Sequence, residues 1–447
     1  MRWAALIALT MALAAGIVLR GGVWPRQWDW SVLVIALAGV ALWIVPDKRR
    51  PLPEDRWTSR LIVAFAGWCA FQLLPLPVGL VGILSPTRVE LARAVGPVNW
   101  LPLSIAPART FECLLNVGAA IVTLLIARQL GWLWRSRLWT PVVPLLGLAA
   151  LEGLLGVAQF YLQRMHEAVK PWSTGTYVNR NHYAGFLEMI LPLAVTAAAA
   201  VWSAGVTRHS RPASPAMKAS SLLALAALLL AAIVTSQSRM GFVAALGGLL
   251  VIGLLAVGAT EQRMCGPARP WRWILPATTL VLAVALLFVL LPTHELVERF
   301  AALAGAGDAN GEVRSQIWRE TIPLLRAFPL TGCGLGTFES AFLRYKHVAP
   351  MFIVDYAHND YLQVLAELGI VGFALGLALV WRIGSRVVRV ALFHKESPGW
   401  ELALGLAGGI AALLLHSLTD FNLYIPANAM TLAWICGLAS LPAPGAD

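Results

Sequence analysis

SSLLALAALLLAAIVTSQSRMGFVAALGGLLVIGLLAVGAT, residues 220–260, decides the class of fold. It holds two apolar runs, 220–235 and 241–260, and a single charged residue, Arg239, in the link between them. A helix crosses a bilayer with about 20 mostly apolar residues. The link Ser236-Gln237-Ser238-Arg239 is too tight to be a domain, so the two runs read as an antiparallel pair of spans.

Working outward, the same pattern recurs along the chain. Twelve segments qualify as spans: 3–19, 30–45, 61–84, 111–127, 139–162, 183–202, 220–235, 241–260, 274–291, 361–381, 400–418 and 427–441. The first could instead be a signal peptide, since Arg2 precedes an apolar run that ends in small residues. The whole chain, 447 residues, is 58% apolar and 13% charged, where soluble domains carry roughly 25% charged residues. Mean hydropathy is +0.71. A soluble cytosolic enzyme, a disordered chain and a disulfide-built secreted domain are excluded. Residues 1–447 read as a single integral membrane domain.

The net charge is +11. Lys and Arg flank the apolar segments, as the positive-inside rule expects, and nucleic-acid binding is not indicated. With the N-terminus inside, 19 Lys and Arg fall on the inner side against 9 on the outer, once the six in the long loop 292–360 are set aside. Both termini are then cytoplasmic and the loop periplasmic. Arginines left outside, such as Arg239 and Arg314, need another reason. The five cysteines, Cys69, Cys113, Cys265, Cys333 and Cys436, form no CxxC pair, which predicts neither a disulfide framework nor a cysteine metal site.

A structureless loop as long as 292–360 would be unusual. Val313, Ile317, Trp318, Ile322 and Leu325 recur at helical spacing, and Phe338, Phe342 and Tyr345 do so again. Between these two predicted helices lies Thr331-Gly332-Cys333-Gly334-Leu335-Gly336-Thr337, read as a tight turn and not as a dinucleotide fingerprint, whose glycine spacing differs.

Four polar constellations fall at outer helix ends: Tyr177-Val178-Asn179-Arg180-Asn181-His182, Ser236–Arg239, Arg314-Ser315-Gln316-Ile317-Trp318, and Ala357-His358-Asn359-Asp360-Tyr361. Each residue has a bland alternative. Arg239 could snorkel at the interface, Arg314 could be a solvated helix charge, Asn181 and Asp360 could be helix caps, and His182 and His358 could be interfacial polar groups. Glu152, Glu188 and Glu367 lie in or near spans, where acids are expensive, and structural pairing is expected of them. Taken together, the constellations suggest chemistry. Arginine forks bind phosphate oxygens bidentately, and several helix N-termini on one side favour an anion. A histidine at a helix start is favoured in its neutral form, which can accept a proton.

Residues 176–381 resemble the O-antigen ligase and O-antigen polymerase superfamily, which includes bacterial protein O-oligosaccharyltransferases. The resemblance is carried by Asn179-Arg180-Asn181-His182, Ser236–Arg239, Arg314 with Trp318, Pro329 to Phe338, and His358-Asn359 followed after nine residues by Gly369-Ile370-Val371-Gly372. It implies an all-α polytopic fold of about twelve spans with a large periplasmic helical loop, of the C-type glycosyltransferase architecture, in the bacterial inner membrane. It further implies metal-independent, inverting transfer of a glycan from undecaprenyl diphosphate to a hydroxyl acceptor, with no cofactor. That acceptor would be lipid A–core, another lipid-linked repeat, or a protein Ser or Thr. The family's essential residues fall on Arg239, Arg314 and His358. Asn181, Arg180, His182, Trp318 and Asn359 are candidates for substrate binding, with a phosphate role for Arg180 resting on this chain alone. No Asp-x-Asp pair stands in the outer loops, so the arginines are expected to neutralise the charge that a metal neutralises elsewhere. A membrane transporter is the alternative outside the enzymes, and it should place its charges near the midplane.

Overall fold

The structure is a computed structural model that describes residues 2–44, 55–166, 171–207, 213–261, 309–347 and 353–441. The span expected at 274–291, the first part of the long loop and Cys265 lie outside the described residues. Helices dominate: α1 (Arg2–Val18), α2 (Pro25–Ile44), α3 (Arg56–Phe71), α4 (Val78–Leu84), α5 (Pro86–Arg93), α6 (Pro107–Leu133), α7 (Val143–Met165), α8 (Arg180–Thr207), α9 (Ala213–Thr235), α10 (Arg239–Glu261), α11 (Ala309–Ala327), α12 (Phe338–Phe342), α13 (Asp360–Phe393), α14 (Trp400–His416) and α15 (Pro426–Ala439). The only strands among the described residues are a short antiparallel pair, Leu76–Pro77 with Trp100–Leu101. Among the described helices, α6 to α10 and α13 are long and apolar enough to cross a membrane, and α1 and α14 are shorter apolar helices. The chain is an all-helical, polytopic membrane protein.

The hub is α8. Of its most apolar stretch, 78% is buried, against 28% in α10 and in α13, which turn much of their apolar surface outward. Around α8 pack α9, α14 and α10. Small residues let these helices approach: a Cβ on Gly248 of α10 would lie 2.7 Å from the Gly408 carbonyl oxygen of α14. Such close backbone contact is how helices associate where apolar side chains gain little by leaving lipid. Within α8, Pro192 cannot donate a backbone hydrogen bond, and Thr196 Oγ1 donates to the Pro192 carbonyl at 2.9 Å.

Two expectations are corrected. The single span at 61–84 is instead α3, which ends at Phe71, followed by the short strand and α4. Pro75 and Pro77 lack the amide hydrogen a continuing helix needs. Conversely, the span at 361–381 continues to Phe393 as one 34-residue element. Arg382 and Arg386, beyond the expected end of that span, lie on this helix and both pair with Asp55 at the N-cap of α3.

The element α13 is broken at Gly369, whose backbone has φ +63° and ψ −173°. The glycine turn fills the break. Cys333 N–H donates to Ala366 O at 2.9 Å, Gly334 N–H to Glu367 O at 3.0 Å, and Ile370 N–H to Pro329 O at 2.9 Å. Gln72, just past α3, donates to both Thr331 O and Glu367 O at 2.8 Å and accepts from Leu335 N–H at 3.0 Å. The Glu367 carboxylate is saturated by Gly336 N–H, Phe338 N–H, Tyr424 Oη and Gln363 Nε2. This satisfies the expectation that an acid in a span has partners. Both predicted loop helices are present: α11 buries Ile317 and Leu324, and α12 buries Phe338 and Phe342, whose rings stack at 5.0 Å. The glycines act as turn formers, with Gly332, Gly334 and Gly336 all at positive φ.

Candidate functional site

Three of the four polar constellations meet at one end of the bundle, around a residue that the sequence reading did not single out. Asp420 lies in the link between α14 and α15 and is 1% exposed. Its Oδ2 accepts a 2.7 Å hydrogen bond from Asn181 Nδ2 and lies 3.7 Å from Arg314 Nη2. Its Oδ1 accepts from Phe421 N–H at 2.9 Å and lies 3.4 Å from His182 Nε2 and 3.7 Å from His358 Nδ1. The two histidine contacts are of ion-pair length, longer than a well-formed hydrogen bond. Burial alone would raise the Asp420 carboxyl, but the approach of His182 and His358, with further positive charge at His416, outweighs it and holds Asp420 well below the usual carboxylate range.

Local structure explains how each member arrives. Asn179 caps α8, its Oδ1 accepting from Asn181 N–H at 2.8 Å, so the Asn181 side chain is available to Asp420. Asn359 caps α13, accepting from Leu362 N–H at 3.0 Å, while its Nδ2 donates to Leu418 O at 2.9 Å. The caps are therefore Asn179 and Asn359 and not Asn181 and Asp360. Asp360 instead ties down the link that carries Asp420: its N–H donates to Ser417 O and Asp420 O, and its Oδ2 accepts from Ser417 Oγ at 2.7 Å and Leu423 N–H at 3.2 Å. Below this, the buried Glu188 carboxylate of α8 meets His416 Nδ1 at 2.9 Å, fastening the end of α14. Glu152, likewise, accepts from Thr176 N–H and Oγ1.

His358 sits at φ +51°, in the left-handed region that a side chain with a Cβ rarely occupies. Strain of this kind, worth about 1–3 kcal/mol, persists only where surroundings enforce it, commonly at functional sites. Trp318 of α11 supplies part of the enforcement, its Nε1 donating to Ala357 O at 2.9 Å. Phe421 supplies the rest: the His182 and His358 rings meet it edge-on at 4.6 and 4.9 Å, and Tyr356 stacks on it at 4.1 Å.

Among the eight residues expected from the sequence, four (Asn181, His182, Arg314 and His358) contact Asp420, and four do not. Trp318 and Asn359 hold the His358 segment in place. Arg180, the first residue of α8, lies over the Trp172 ring at 5.7 Å. Arg239 opens α10, half-buried, where the first turn of that helix packs on α8 through Gly241 and Ala184. Asp420 carried no recognisable spacing. The one signal was a lone acid beside an aromatic, Thr419-Asp420-Phe421-Asn422, at an outer helix end. Among the described residues no cluster of His, Cys, Asp and Glu has the grouping of a metal site.

Buried acid, two histidines and an arginine at the mouth of a helical membrane bundle define a polytopic membrane protein with a polar site at one face. Residues 224–377 match the family model described as O-antigen ligase, and over that stretch the superfamily resemblance read from the sequence holds. The match takes in Arg239, Arg314, Trp318, His358 and Asn359, and leaves Asn181, His182 and Asp420 outside it. No curated protein matches the chain significantly. The family points to glycan transfer of the ligase or polymerase kind in a membrane setting.

Proposed function

We propose that the chain transfers a glycan from an undecaprenyl-diphosphate donor to an acceptor hydroxyl on the periplasmic side of the bacterial inner membrane. The convergence of Asn181, His182, Arg314 and His358 on the buried Asp420 carries this reading. Arg314, aligned by Asp420, and Arg239, at the neighbouring helix start, grip the diphosphate and stabilise it as it leaves. Asp420 faces His358 Nδ1, which leaves Nε2 to take the acceptor proton, the arrangement in which a carboxylate fixes an imidazole's orientation. The acceptor oxygen bonds to the anomeric carbon, and the carbon–oxygen bond to the diphosphate breaks. The bonding pair departs with the lipid diphosphate, and the proton passes through His358 to water. With two arginines on the leaving group, we propose that no metal is needed. The clustering of these groups at helix ends supports an enzyme over a carrier, which would place them near the midplane.

Reconstitution in vesicles with a lipid-linked glycan donor and candidate acceptors tests the reading. Glycan should appear on an acceptor with release of undecaprenyl diphosphate, and should survive chelation. Absence of transfer to lipid A–core, to lipid-linked glycan and to Ser/Thr peptide alike overturns it.

A further inference from the structure

The segment between α3 and α6 stands apart from the bundle core and from the Asp420 cluster. Residues 72–106 form a small wing of α4, α5 and the short strand pair, with a core of its own in Val81, Val89, Leu101 and Leu103. Its two helices divide by chemistry. The first, α4, reads Val-Gly-Leu-Val-Gly-Ile-Leu and has no polar side chain. It buries Val81 and turns Leu80 and Ile83, neighbours on one helix face, outward at 43% and 77% exposure. The strand pair sets Trp100, 64% exposed, opposite Pro77 at the start of α4. The second helix, α5, carries Arg88, Glu90 and Arg93. Arg88 Nε donates to the Pro102 and Ser104 carbonyls, and Glu90 pairs with Arg344, just past α12, at 2.8 Å.

Helix length says what lies against the apolar side. α3 packs along α13 and α6, both long enough to cross a membrane. It begins at Asp55, where Arg382 and Arg386 converge. Charges so concentrated belong at or beyond the edge of the hydrocarbon. From there the 16 residues of α3 rise about 24 Å. That is about 6 Å short of a hydrocarbon core about 30 Å thick, and tilt shortens the reach further. The chain thus leaves α3 before it has left the lipid, and the opposite edge is level with α4. The site lies on that side. Gln72 bonds Thr331 O and Glu367 O, Ser104 N–H donates to Gln72 O at 3.0 Å, and Ile105 N–H donates to Cys333 O at 2.9 Å. Glu367 in turn accepts from Tyr424, four residues beyond Asp420. Indole rings favour the headgroup level, which suits Trp100. We propose that α4 and Trp100 seat in the bilayer edge on the side of the Asp420 cluster, with phospholipid acyl chains against Leu80 and Ile83 and the charged α5 facing water. The wing then holds the glycine turn, and with it the break in α13, at a fixed depth.

Site-specific photocrosslinking tests this on full-length protein in nanodiscs of phosphatidylethanolamine and phosphatidylglycerol, with no need for turnover. The photoreactive residue p-benzoylphenylalanine replaces one residue at a time. The positions are Ile83, Arg93 as the aqueous control, and Leu154, exposed midway along α7, as the lipid control. All three side chains are exposed, so the replacements should fold. After irradiation, peptide mass spectrometry counts lipid adducts. The yield at Ile83 should lie within about two- to three-fold of that at Leu154 and about ten-fold or more above that at Arg93, as an apolar face sunk into the acyl boundary requires. A yield at Ile83 no higher than at Arg93, with Leu154 labelled, puts α4 in water and overturns the proposal. Peptide–peptide crosslinks in place of lipid adducts at Ile83 overturn it too, because the cover is then protein. Equal and high lipid yields at Ile83 and Arg93 overturn the division between α4 and α5.

Discussion

His358 Nδ1 lies 3.7 Å from Asp420 Oδ1, although the two residues are 62 positions apart and belong to different helix ends. The contact depends on Asp360, the first residue of α13, whose amide and carboxylate both bind the link containing Asp420. One helix start thus fixes the histidine and the acid together. Asn181 and His182, from the start of α8, close the ring on the other side.

Asp420→Asn keeps the shape and removes the charge. Arg314 and the histidines then lose their common anion, and Asn181 loses a charged acceptor. The loss of charge-assisted contacts, about 1.5–3 kcal/mol, should cut transfer roughly ten- to a hundred-fold at normal protein level. Wild-type turnover of Asp420→Asn in vesicles would remove Asp420 from the site.

The same acid makes a pH prediction. Its folded-state value is held well below the usual carboxylate range, against about 3.9 when unfolded. Its ionised form therefore contributes stability that is fully present above the unfolded value and is lost as pH falls through the lower folded value. The Tm difference between wild type and Asp420→Asn should not shrink as pH falls from about 7 to 5, where the neighbouring histidines gain charge, and should be lost only below about pH 4. A difference that already shrinks between pH 7 and 5 would contradict the depressed value.

Arg239 and Arg314 separate charge from fork geometry. A lysine keeps the charge and loses the planar pair of donors. Arg239→Lys and Arg314→Lys should each turn over well below wild type and above the alanine variants. Full transfer by Arg239→Ala, at normal protein level, would leave Arg239 an interfacial anchor only.

Gly369 bears on stability. Its φ and ψ lie in a region almost confined to glycine, and a Cβ there would strike the Leu330 carbonyl. Gly369→Ala should release the turn at 329–337 from α13 and destabilise the protein by more than about 1–3 kcal/mol. A thermal shift of the detergent-purified variant measures this, and an unchanged Tm would mean that the break in α13 is not fixed by the glycine.

Much of this fold was legible because lipid imposes a simple pattern. The apolar runs at 183–202, 220–235 and 241–260 lie within α8, α9 and α10. The errors have physical causes. Pro75 and Pro77 interrupt a run whose hydropathy alone looks continuous. Arg382 and Arg386 lower hydropathy without breaking a helix, because Asp55 pairs with them. Cap identity slipped by one or two residues at both Asn179 and Asn359. At the site, the histidines and Arg314 stood out as charge at helix ends, but Asp420 did not. Its place is set by packing across 239 residues to Asn181, and no local spacing encodes that.

His358 provides the sharpest test. It is strained, half-buried, and turned with Nδ1 toward Asp420. Two roles fit this placement: taking the acceptor proton, and only holding the acceptor hydroxyl by a hydrogen bond. His358→Ala should abolish or strongly reduce transfer while the protein still inserts and binds donor, since no contact described for His358 supports a span. His358→Gln separates the roles, because an amide can hold a hydroxyl but cannot act as a base near neutral pH. Under proton transfer the Gln variant should fall with Ala, by the 10²–10⁴-fold or so typical of a lost general base. If Gln restores most of the activity, positioning is the role and the base lies elsewhere. If Ala matches wild type in vesicle assays with saturating donor and acceptor, then His358 takes no part in the reaction, and its strained backbone serves only to start α13.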